Sequence, residues 1–380
     1  MTKEPASFPR VRRTSTTLAD GRELIYFDDS EPYRSGAERR DVADERPLGA
    51  RTPSGTIRLD ALTGDWVSMA GHRQNRTFLP PANECPLCPA GRGTVPSEIP
   101  ARDYDVVVFE NRFPSFGSES TAPGPIVSPL FAQAPALGRC EVVCFTSDHE
   151  ASFSSLSEAR ARTVVEAWVD RTRELSAIDV VEHVFCFENR GQEIGVTLHH
   201  PHGQIYAYPF LPARTAQILQ QATQHHERTG HLLGGDLLAA ELDSGTRVVI
   251  RGTHWTAYVP FAARWPLEVH LAPNRDVPDL VALDCDERDE LAKVYLDLLR
   301  RLDRYYDAPS GSPIALPYIA GWHQAPVRQG REVSRLHLQV MSVMRAPGRL
   351  KYLAGSESGV GAWVNDVAPE RVAARLREVG

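Results

Sequence analysis

Residues 197–210 read TLHHPHGQIYAYPF, and this stretch decides which fold and which kind of site the chain is expected to have. Three of the chain's 13 histidines fall within four residues, and the run that follows them is aromatic and β-branched. Such a run is typical of a β-strand. Side chains two residues apart in a strand project to the same side. His200, His202 and Gln204 are therefore predicted to face one site together.

The residue types in this stretch indicate its chemistry. A neutral imidazole is both a nucleophile and a common metal ligand, so one histidine is interpreted as a nucleophile towards phosphorus and another as a metal ligand. The Gln204 amide can donate to phosphate oxygens, and Gly203 lets the backbone approach a phosphate closely. The alternative is a strand that happens to carry two surface histidines. The complete His-Pro-His-Gly-Gln run, preceded by the NRG of residues 189–191, favours the functional interpretation.

The composition restricts the classes of partner. Of 380 residues, 42% are hydrophobic and 24% charged, and the formal net charge is −7. This charge predicts no general attraction to nucleic acid or to an anionic membrane, so local arginines must bind any anionic substrate. The six cysteines are irregularly spaced, and neither a signal peptide nor a stretch of 18 apolar residues occurs. We expect a soluble cytoplasmic protein with no nucleic-acid or membrane partner.

The first half of the chain predicts strands on either side of one helix. Segments rich in β-branched and aromatic residues predict strands at residues 105–110, 141–146, 183–188 and 204–210. Between the second and the third of these, Ser155 and Glu158 fit a capping box at the start of a helix. Helical spacing predicts an inward face made of Ala161, Val164, Val165, Trp168 and Val169.

The second half repeats this plan. Strands are predicted at residues 247–250, 256–259 and 267–272, followed by a helix that opens at Asp284 with Glu287 as its capping partner. The inward face of that helix is predicted to consist of Leu291, Val294, Tyr295, Leu298 and Leu302. A strand bearing His337 comes next. The repetition predicts an α+β protein of two halves related by internal duplication.

Three segments follow from this organisation. Residues 1–56 are predicted to be an N-terminal extension and loop, of which the first 20 are frayed, and residues 114–138 a long surface excursion. Residues 57–215 are predicted to form the N-terminal half, with the nucleophile and the zinc site that includes Cys85 and Cys88, and residues 216–380 the C-terminal half. The junction is expected between residues 212 and 245.

Residues 188–210, ENRGQEIGVTLHHPHGQIYAYPF, resemble the active-site region of galactose-1-phosphate uridylyltransferases, which belong to the histidine-triad superfamily. The resemblance extends from about residue 58 to 370 and includes TGDWV, GHRQNR, CPLC, VVFENRFP, CFTSDH, WPLEVHLAP and GWHQAP. It implies two histidine-triad-like halves, each an antiparallel sheet with helices packed on it. It also implies a ping-pong exchange of UMP between UDP-glucose and galactose 1-phosphate, as in galactose metabolism.

The resemblance assigns roles within the quoted stretch. His202 matches the nucleophile that becomes uridylylated, and Gln204 matches the phosphate-binding glutamine. Histidine-triad hydrolases carry a third histidine at the position of Gln204. Its replacement by glutamine therefore implies a transferase, whose covalent intermediate must outlive water.

Cys85 and Cys88 form half of a zinc site by their spacing, although such a pair is also compatible with a redox pair or with chance. The resemblance supplies His149 and His200 as the other two ligands. A Cys₂His₂ set would be closed and structural, and would pin the strand that bears His202. Cys140 and Cys144 are rival ligands by residue type. Cys144 is nevertheless interpreted as a core residue, and so are Cys186 and Cys285.

The remaining site residues follow mainly from the resemblance. Arg73 and Arg76 match a nucleotide-binding pair, and forked guanidinium groups suit phosphate, although two loop arginines are usually just solvated. The other matches are Asn111 on the uridine side, Asn189 at the phosphates or sugar, and Lys351 and Glu357 at the hexose. Some tail contacts of the family cross between subunits, so a homodimer is implied. Trp363 falls where the family has a sugar-binding glutamine, which puts the hexose specificity in doubt.

A second metal site, which some family members hold in the second half, is expected to be absent here. Its histidine positions are occupied by His323, His337 and Gln339, and residues 217–218 (Gln-Ile) stand where a glutamate would be expected. This set lacks both a charge and a strong donor. His323 and Gln339 are predicted to hydrogen-bond to each other or to the backbone.

Three functions compete. The first is a hexose-1-phosphate uridylyltransferase with His202 as its nucleophile. The second is a relative that transfers another nucleotide or uses inorganic phosphate as acceptor. The third is a zinc-bound nucleotide-binding protein without turnover, against which the intact pair of His202 and Gln204 argues.

Overall fold

The computed structural model describes residues 10–49, 51, 53–75, 78–125, 127–307, 311–312 and 314–380. The strands assigned there are β1 Arg12–Thr17, β2 Glu23–Asp28, β3 Thr56–Leu59, β4 Trp66–Met69, β5 Val106–Glu110, β6 Gln133–Pro135, β7 Arg139–Cys144, β8 His183–Arg190, β9 His202–Tyr208, β10 Val248–Arg251, β11 Trp255–Tyr258, β12 Leu267–Pro273, β13 Tyr318–His323, β14 His337–Ser342, β15 Met344–Ala346 and β16 Arg349–Leu350. The α-helices are α1 Glu158–Ser176, α2 Ala213–Thr229, α3 Leu233–Ser244, α4 Cys285–Asp303, α5 Gly355–Val360 and α6 Pro369–Glu378. None of the helices in these residues is both long and apolar enough to cross a membrane.

One antiparallel sheet of 11 strands runs through both halves of the chain. Its order is β1-β2-β5-β7-β9-β8-β13-β14-β12-β11-β10. The strands β5-β7-β9-β8 of the first half and β11-β12-β14-β13 of the second follow the same order, with α1 and α4 at equivalent points of the chain. The predicted α+β fold with two repeated halves is therefore confirmed. The two half-sheets are joined edge to edge by the pairing of β8 with β13, where Glu188 lies opposite Ala320.

Helices α1 and α4 lie side by side on one face of this sheet. The predicted inward residues of both helices are buried. Trp168 of α1 and Tyr295 of α4 have ring centroids 6.3 Å apart, and both contact Phe153. Burying a side chain of this size contributes roughly 1.5–3 kcal/mol. One core under both helices therefore holds the two halves together.

The start of α1 differs from its prediction, whereas the start of α4 agrees with it. Ser157, not Ser155, caps α1 and accepts a hydrogen bond from the backbone N–H of Arg160. Ser155 instead closes a capping box with Ser152 around a short 3₁₀ turn. The prediction was wrong because that turn precedes the helix and takes the earlier serines. At α4, Asp284 and Glu287 form the predicted capping box.

The prediction for the N-terminal region is wrong in part. Residues 12–17 and 23–28 form strands β1 and β2, which extend the sheet beyond β5. β1 (RRTSTT) has no apolar residue, and it is ordered by pairing with β2 and by salt bridges from Arg13 to Asp170 and Glu174 at 3.1 and 3.0 Å. An edge strand made only of polar residues has no alternation of apolar and polar residues, so the sequence pattern does not predict it. Within residues 29–55 that the structure describes, no strand longer than an isolated bridge occurs.

Two other segments hold more structure than was predicted. Residues 114–138 include β6, which pairs with β3 in a separate three-stranded sheet with β4. The segment between residues 212 and 245, where the junction was expected, is helical and forms α2 and α3. These two helices lead from the first half into β10.

Candidate active site

Strand β9 presents alternate side chains to opposite faces of the sheet. His202, Gln204 and Tyr206 are half-buried, whereas Gly203, Ile205 and the residue after Tyr206 are buried. Gly203 faces the core, where a Cβ would lie 2.9 Å from both the Phe145 ring and the Phe187 carbonyl oxygen. The glycine is thus required by packing on the face opposite to the site.

His200 does not face the same site as His202 and Gln204, contrary to the prediction. β9 begins only at His202, so the alternation does not extend back past Pro201. His200 is fully buried, with its Nε2 2.8 Å from the carbonyl oxygen of Thr146.

A cleft of about 400 Å³ opens over His202 and Gln204. Arg73 and Asn111, two of the predicted substrate-binding residues, also line this cleft. Its walls mix apolar and charged side chains, including Leu87, Phe109, Val142, Leu198, Glu98 and Arg112. The cleft therefore combines apolar surface with imidazole and guanidinium groups, a mixture that suits a phosphorylated ligand.

The orientation of His202 is set by the backbone of His200. Its Nδ1 lies 2.7 Å from the carbonyl oxygen of His200. A carbonyl only accepts hydrogen bonds, so Nδ1 carries the proton and Nε2 keeps its lone pair. Burial lowers the pKa of His202, which favours the neutral imidazole. The arrangement is that of a nucleophile held in one tautomer.

Gln204 and Arg73 line the same cleft as this imidazole. Within the described part of the chain, the Gln204 side chain forms no hydrogen bond, so its amide is free to bind a ligand. Arg73 donates from one nitrogen to the Phe113 carbonyl oxygen at 3.0 Å and to the Tyr206 hydroxyl at 3.3 Å. Both acceptors are neutral, so they orient the guanidinium without cancelling its charge. Arg76 lies outside the described residues.

Asn111 has the turn contact that a purely structural role would predict. Its Oδ1 accepts a hydrogen bond of 2.8 Å from the backbone N–H of Phe113. Its side chain nevertheless lines the cleft, and its amide nitrogen is not engaged in any side-chain hydrogen bond among the described residues.

Cys85, Cys88, His149 and His200 converge beside the start of β9. One ligand atom from each lies within 4.8 Å of all the others. Cys88 Sγ is 3.4 Å from His149 Nδ1 and 3.5 Å from His200 Nδ1. Burial and the neighbouring Cys85 raise the pKa of the Cys88 thiol to about 12. Two thiols buried against two imidazoles fit a tetrahedral metal site, since a cation would favour the thiolates.

The outer contacts of His200 support the same interpretation. Its Nε2 bonds to the Thr146 carbonyl oxygen and lies 2.7 Å from the Tyr104 hydroxyl. Nε2 must therefore carry the proton, which leaves the Nδ1 lone pair directed at the cysteines. Metal-binding histidines usually have such a partner on the other ring nitrogen.

The other cysteines are not among the four residues whose ligand atoms converge. Cys140, Cys144 and Cys186 are buried, and Cys144 packs in the same apolar cluster as Cys85 and Cys88. Cys285 was predicted to be a core residue and is instead exposed, because it is the first residue of α4 and follows the capping Asp284.

Three predicted substrate residues do not line the cleft of their own chain. Asn189 lies on β8, one residue past Glu188, which pairs with Gly203. Lys351 is buried, and its Nζ is 3.3 Å from Glu357 Oε1. Trp363 packs on Trp265 with ring centroids 5.0 Å apart. Lys351, Glu357 and Trp363 all lie in the C-terminal half, and Trp265 is two residues before β12.

Some residues of the site were missed by sequence reasoning. Tyr206, which orients Arg73, would follow from extending the strand alternation two residues past Gln204. Tyr104 and Thr146, which orient His200, carry no sequence signal, because they come from separate segments that meet only in the fold. Arg112 also lines the cleft, with its guanidinium 3.6 Å from the Glu98 carboxylate, and no sequence pattern predicts this position.

In the second half, His323 Nε2 lies 3.2 Å from Gln339 Oε1, which is the predicted hydrogen bond. Gln339 also donates to Glu268 Oε1 at 2.6 Å. Ile218 of α2 is exposed.

Comparison with known proteins identifies one family across both halves of the chain. Two family models match: "Galactose-1-phosphate uridyl transferase, N-terminal domain" over residues 50–212 and "Galactose-1-phosphate uridyl transferase, C-terminal domain" over residues 217–380. A galactose-1-phosphate uridylyltransferase of Streptomyces lividans is 49% identical over 385 residues, covering 97% of this chain and 98% of that protein. One from Thermotoga maritima is 36% identical over 325 residues, covering 85% and 98%.

Solved structures share the fold. A uridylyltransferase structure with 32% sequence identity aligns with a TM-score of 0.75, covering 85% of this chain and 98% of that one. An ADP-glucose phosphorylase from Arabidopsis thaliana has 21% identity and a TM-score of 0.63 over the same shares. The second likeness concerns the fold alone.

Proposed function

This chain belongs to the galactose-1-phosphate uridylyltransferase family, and we propose that it exchanges UMP between UDP-glucose and galactose 1-phosphate through His202. The observation that carries the assignment to His202 is the contact of 2.7 Å between its Nδ1 and the His200 carbonyl oxygen, which fixes the tautomer of the imidazole. With Nδ1 donating to the His200 carbonyl oxygen, the Nε2 lone pair is available in a cleft that also holds Gln204 and Arg73.

The exchange proceeds in two displacements. The Nε2 lone pair of His202 attacks the α-phosphorus of UDP-glucose, a P–N bond forms, and the P–O bond to glucose 1-phosphate breaks with its electron pair on the leaving oxygen. A phosphate oxygen of galactose 1-phosphate then attacks the same phosphorus. The P–N bond breaks, Nε2 regains its lone pair and UDP-galactose leaves. Neither step consumes a proton, so the Nδ1–H bond to His200 persists throughout.

Gln204 and Arg73 are proposed to stabilise the charge that develops on the phosphoryl oxygens. Donors oriented in advance act most strongly in a site that excludes water. The guanidinium of Arg73 is oriented in this way by two neutral acceptors, and the Gln204 amide is free to donate to a phosphoryl oxygen. Arg76 is proposed by resemblance as the second phosphate-binding cation, and Asn111 as a uridine contact.

Cys85, Cys88, His149 and His200 are proposed to hold one zinc ion. The ion would supply structure rather than chemistry, since all four positions of a tetrahedral site are taken by protein. His200 would thereby be fixed, and its carbonyl oxygen holds His202 Nδ1. In the second half, the engagement of Gln339 by His323 and Glu268 supports the proposal that no second metal binds there.

Lys351 and Glu357 are proposed to contact the hexose of a partner subunit, and Asn189 the phosphates or sugar. Lys351 and Glu357 pair with each other and lie away from the cleft of their own chain, which supports a homodimer in which tails cross. Trp363, packed on Trp265, offers no amide to a sugar. The six free cysteines fit the reducing cytoplasm as the compartment.

The test is to incubate the protein with UDP-glucose labelled in the uridylyl group and to map the label by peptide mass. Label is expected on His202, and its release is expected on addition of galactose 1-phosphate. His202→Ala should abolish both labelling and exchange, and His202→Gly should regain exchange with free imidazole.

His199→Ala is the matched control, because His199 is exposed and bonds only to Gln192 in the described structure. It should behave as wild type. Full exchange in His202→Ala would contradict the assignment. Labelling by ADP-glucose in preference to UDP-glucose would favour the nucleotide alternative, and binding without any label would favour the binding protein.

A further inference from the structure

A second cleft, of about 570 Å³, lies on the C-terminal half. It occupies the position that the internal repeat makes equivalent to the catalytic cleft. In the first half Gln204 of β9 lies opposite Val142 of β7, and in the second Gln339 of β14 lies opposite His270 of β12. His337 lines the second cleft as His202 lines the first.

The second cleft cannot perform the same chemistry. Gln339 is fully buried and does not line this cleft. Its amide donates to Glu268 and its oxygen accepts from His323, so it is not presented to a phosphoryl group. The ring of His337 is stacked on that of His323 with centroids 4.9 Å apart. A His-x-Gln pair is present, but its groups are engaged by neighbours.

The charge of this cleft points to an anion. Arg214 of α2 and Arg264 both line it, and within the described residues neither guanidinium forms a salt bridge or donates a side-chain hydrogen bond. Burial and the nearby charge of Arg264 lower the pKa of Arg214, which places two like charges close together. The carboxylate of Glu268, whose Oε1 is 3.2 Å from His270 Nε2, offsets one of these two positive charges. Arg335 is paired with Asp276 at 3.1 Å. An excess of positive charge remains.

The rest of the lining is apolar or aromatic. Leu233, Leu237, Tyr258 and Val333 also line the cleft. Ligand clefts of some 300–1,000 Å³ with a few converging polar groups are typical of small-molecule sites. A phosphate at the arginines would leave room for an organic group against these side chains.

We infer that the second cleft binds a small phosphate monoester without reacting with it, the phosphate between Arg214 and Arg264 and the organic group against Leu237 and Tyr258. Forked guanidinium groups suit phosphate oxygens. A nucleoside monophosphate and a sugar phosphate share this chemistry. The site is separate from the catalytic one, since no residue lines both clefts.

The experiment counts bound ligand per chain by equilibrium dialysis of the full-length protein with labelled UMP, glucose 1-phosphate or inorganic phosphate. Two sites per chain are expected for at least one ester, and the ester that binds the second site more tightly identifies the organic group. The double variant Arg214→Gln/Arg264→Gln should lose the second site, with Kd raised about tenfold for each lost charged hydrogen bond, and should keep the first. Arg73→Gln should weaken only the first.

Arg214→Lys/Arg264→Lys preserves the charge and should retain weakened binding, and the exposed Arg173→Gln on α1 should leave both sites unchanged. Retention of the first site shows that a variant is folded. One site per chain in wild type, two sites in the double glutamine variant, or filling of the second site by inorganic phosphate alone would each overturn the inference.

Discussion

A histidine followed two residues later by a glutamine occurs on β9 and again on β14, and only the neighbours distinguish the two pairs. At His202 the His200 carbonyl oxygen accepts a hydrogen bond from Nδ1–H, and Gln204 has no side-chain partner in the described structure. At His337 the corresponding Gln339 is bonded on both ends of its amide. Residue identity alone therefore does not specify a catalytic pair; the availability of a lone pair and of an amide does.

Gln204→Ala should slow both half-reactions by roughly 10²-fold, as loss of an oxyanion donor typically does. The loss should appear in kcat, because the amide acts on charge that develops in the transition state. Rapid-quench measurement of His202 labelling and of its release checks the two steps separately. Gln339→Ala is the control and should leave both rates unchanged. Unaltered turnover in Gln204→Ala would make Gln204 a structural strand residue.

At the scale of elements, β9 is positioned by contacts at its start and on its far face. The segment before it carries His200 into the Cys85–Cys88 cluster, and Gly203 lets Phe145 and the Phe187 backbone pack closely beneath the strand. The proposed metal cluster thus fixes where β9 begins, and Gly203 fixes how closely the strand packs against the core under α1.

Cys85→Ser and Cys88→Ser should each abolish binding of one zinc per chain, and lower both the melting temperature and the exchange rate. The reason is that binding of a structural metal contributes directly to folding free energy. Elemental analysis and thermal unfolding of each variant measure this. The exposed Cys285→Ser is the matched control and should keep its zinc. Intact zinc content in both cluster variants would place the metal elsewhere.

At the scale of the whole molecule, a buried polar group lies on the seam between the halves. Glu188 of β8 accepts a hydrogen bond of 3.0 Å from the Tyr318 hydroxyl of β13. Burial raises the pKa of Glu188 to about 7. The folded protein thus holds a proton there that the unfolded chain releases near the ordinary carboxyl pKa of about 4.3.

The free energy of unfolding should therefore fall, on account of Glu188, as the pH rises from about 4.3 to 7, with the contribution fully present below that range. Glu188→Gln keeps an acceptor for Tyr318 and removes the ionisation. The variant should match wild type near pH 4 and be more stable at pH 8, by on the order of 3 kcal/mol at most. Denaturant unfolding of both proteins across this range gives the difference. A difference that does not change with pH would contradict the expectation.

The proposed dimer makes a prediction about hybrids. A His202→Ala chain co-expressed with a Lys351→Met chain should recover activity, because one of the two sites in each hybrid combines an intact His202 with an intact Lys351 from the other chain. Random pairing in a symmetric dimer gives about a quarter of wild-type activity. Each variant expressed alone is the control. Hybrids without activity would mean that Lys351 acts within its own chain or not at the site.

Arg73 and Asn111 came from the resemblance, whereas by itself the sequence determined the repeated plan of strands and capped helices and placed His202 and Gln204 on one face of a strand. These follow from local rules, since strand alternation, helical spacing and capping depend on near neighbours along the chain. The cluster of Cys85, Cys88, His149 and His200 came from the resemblance, and its members do converge in the structure.

Only the tertiary structure decided the rest. It turned His200 away from His202, made strands of polar residues 12–17 and of residues 23–28, capped α1 with Ser157 and exposed Cys285. It also selected Tyr104, Thr146 and Tyr206 as the groups that orient the site. Each of these depends on hydrogen bonds or packing between segments far apart in the chain, and such contacts leave no local pattern from which they can be read.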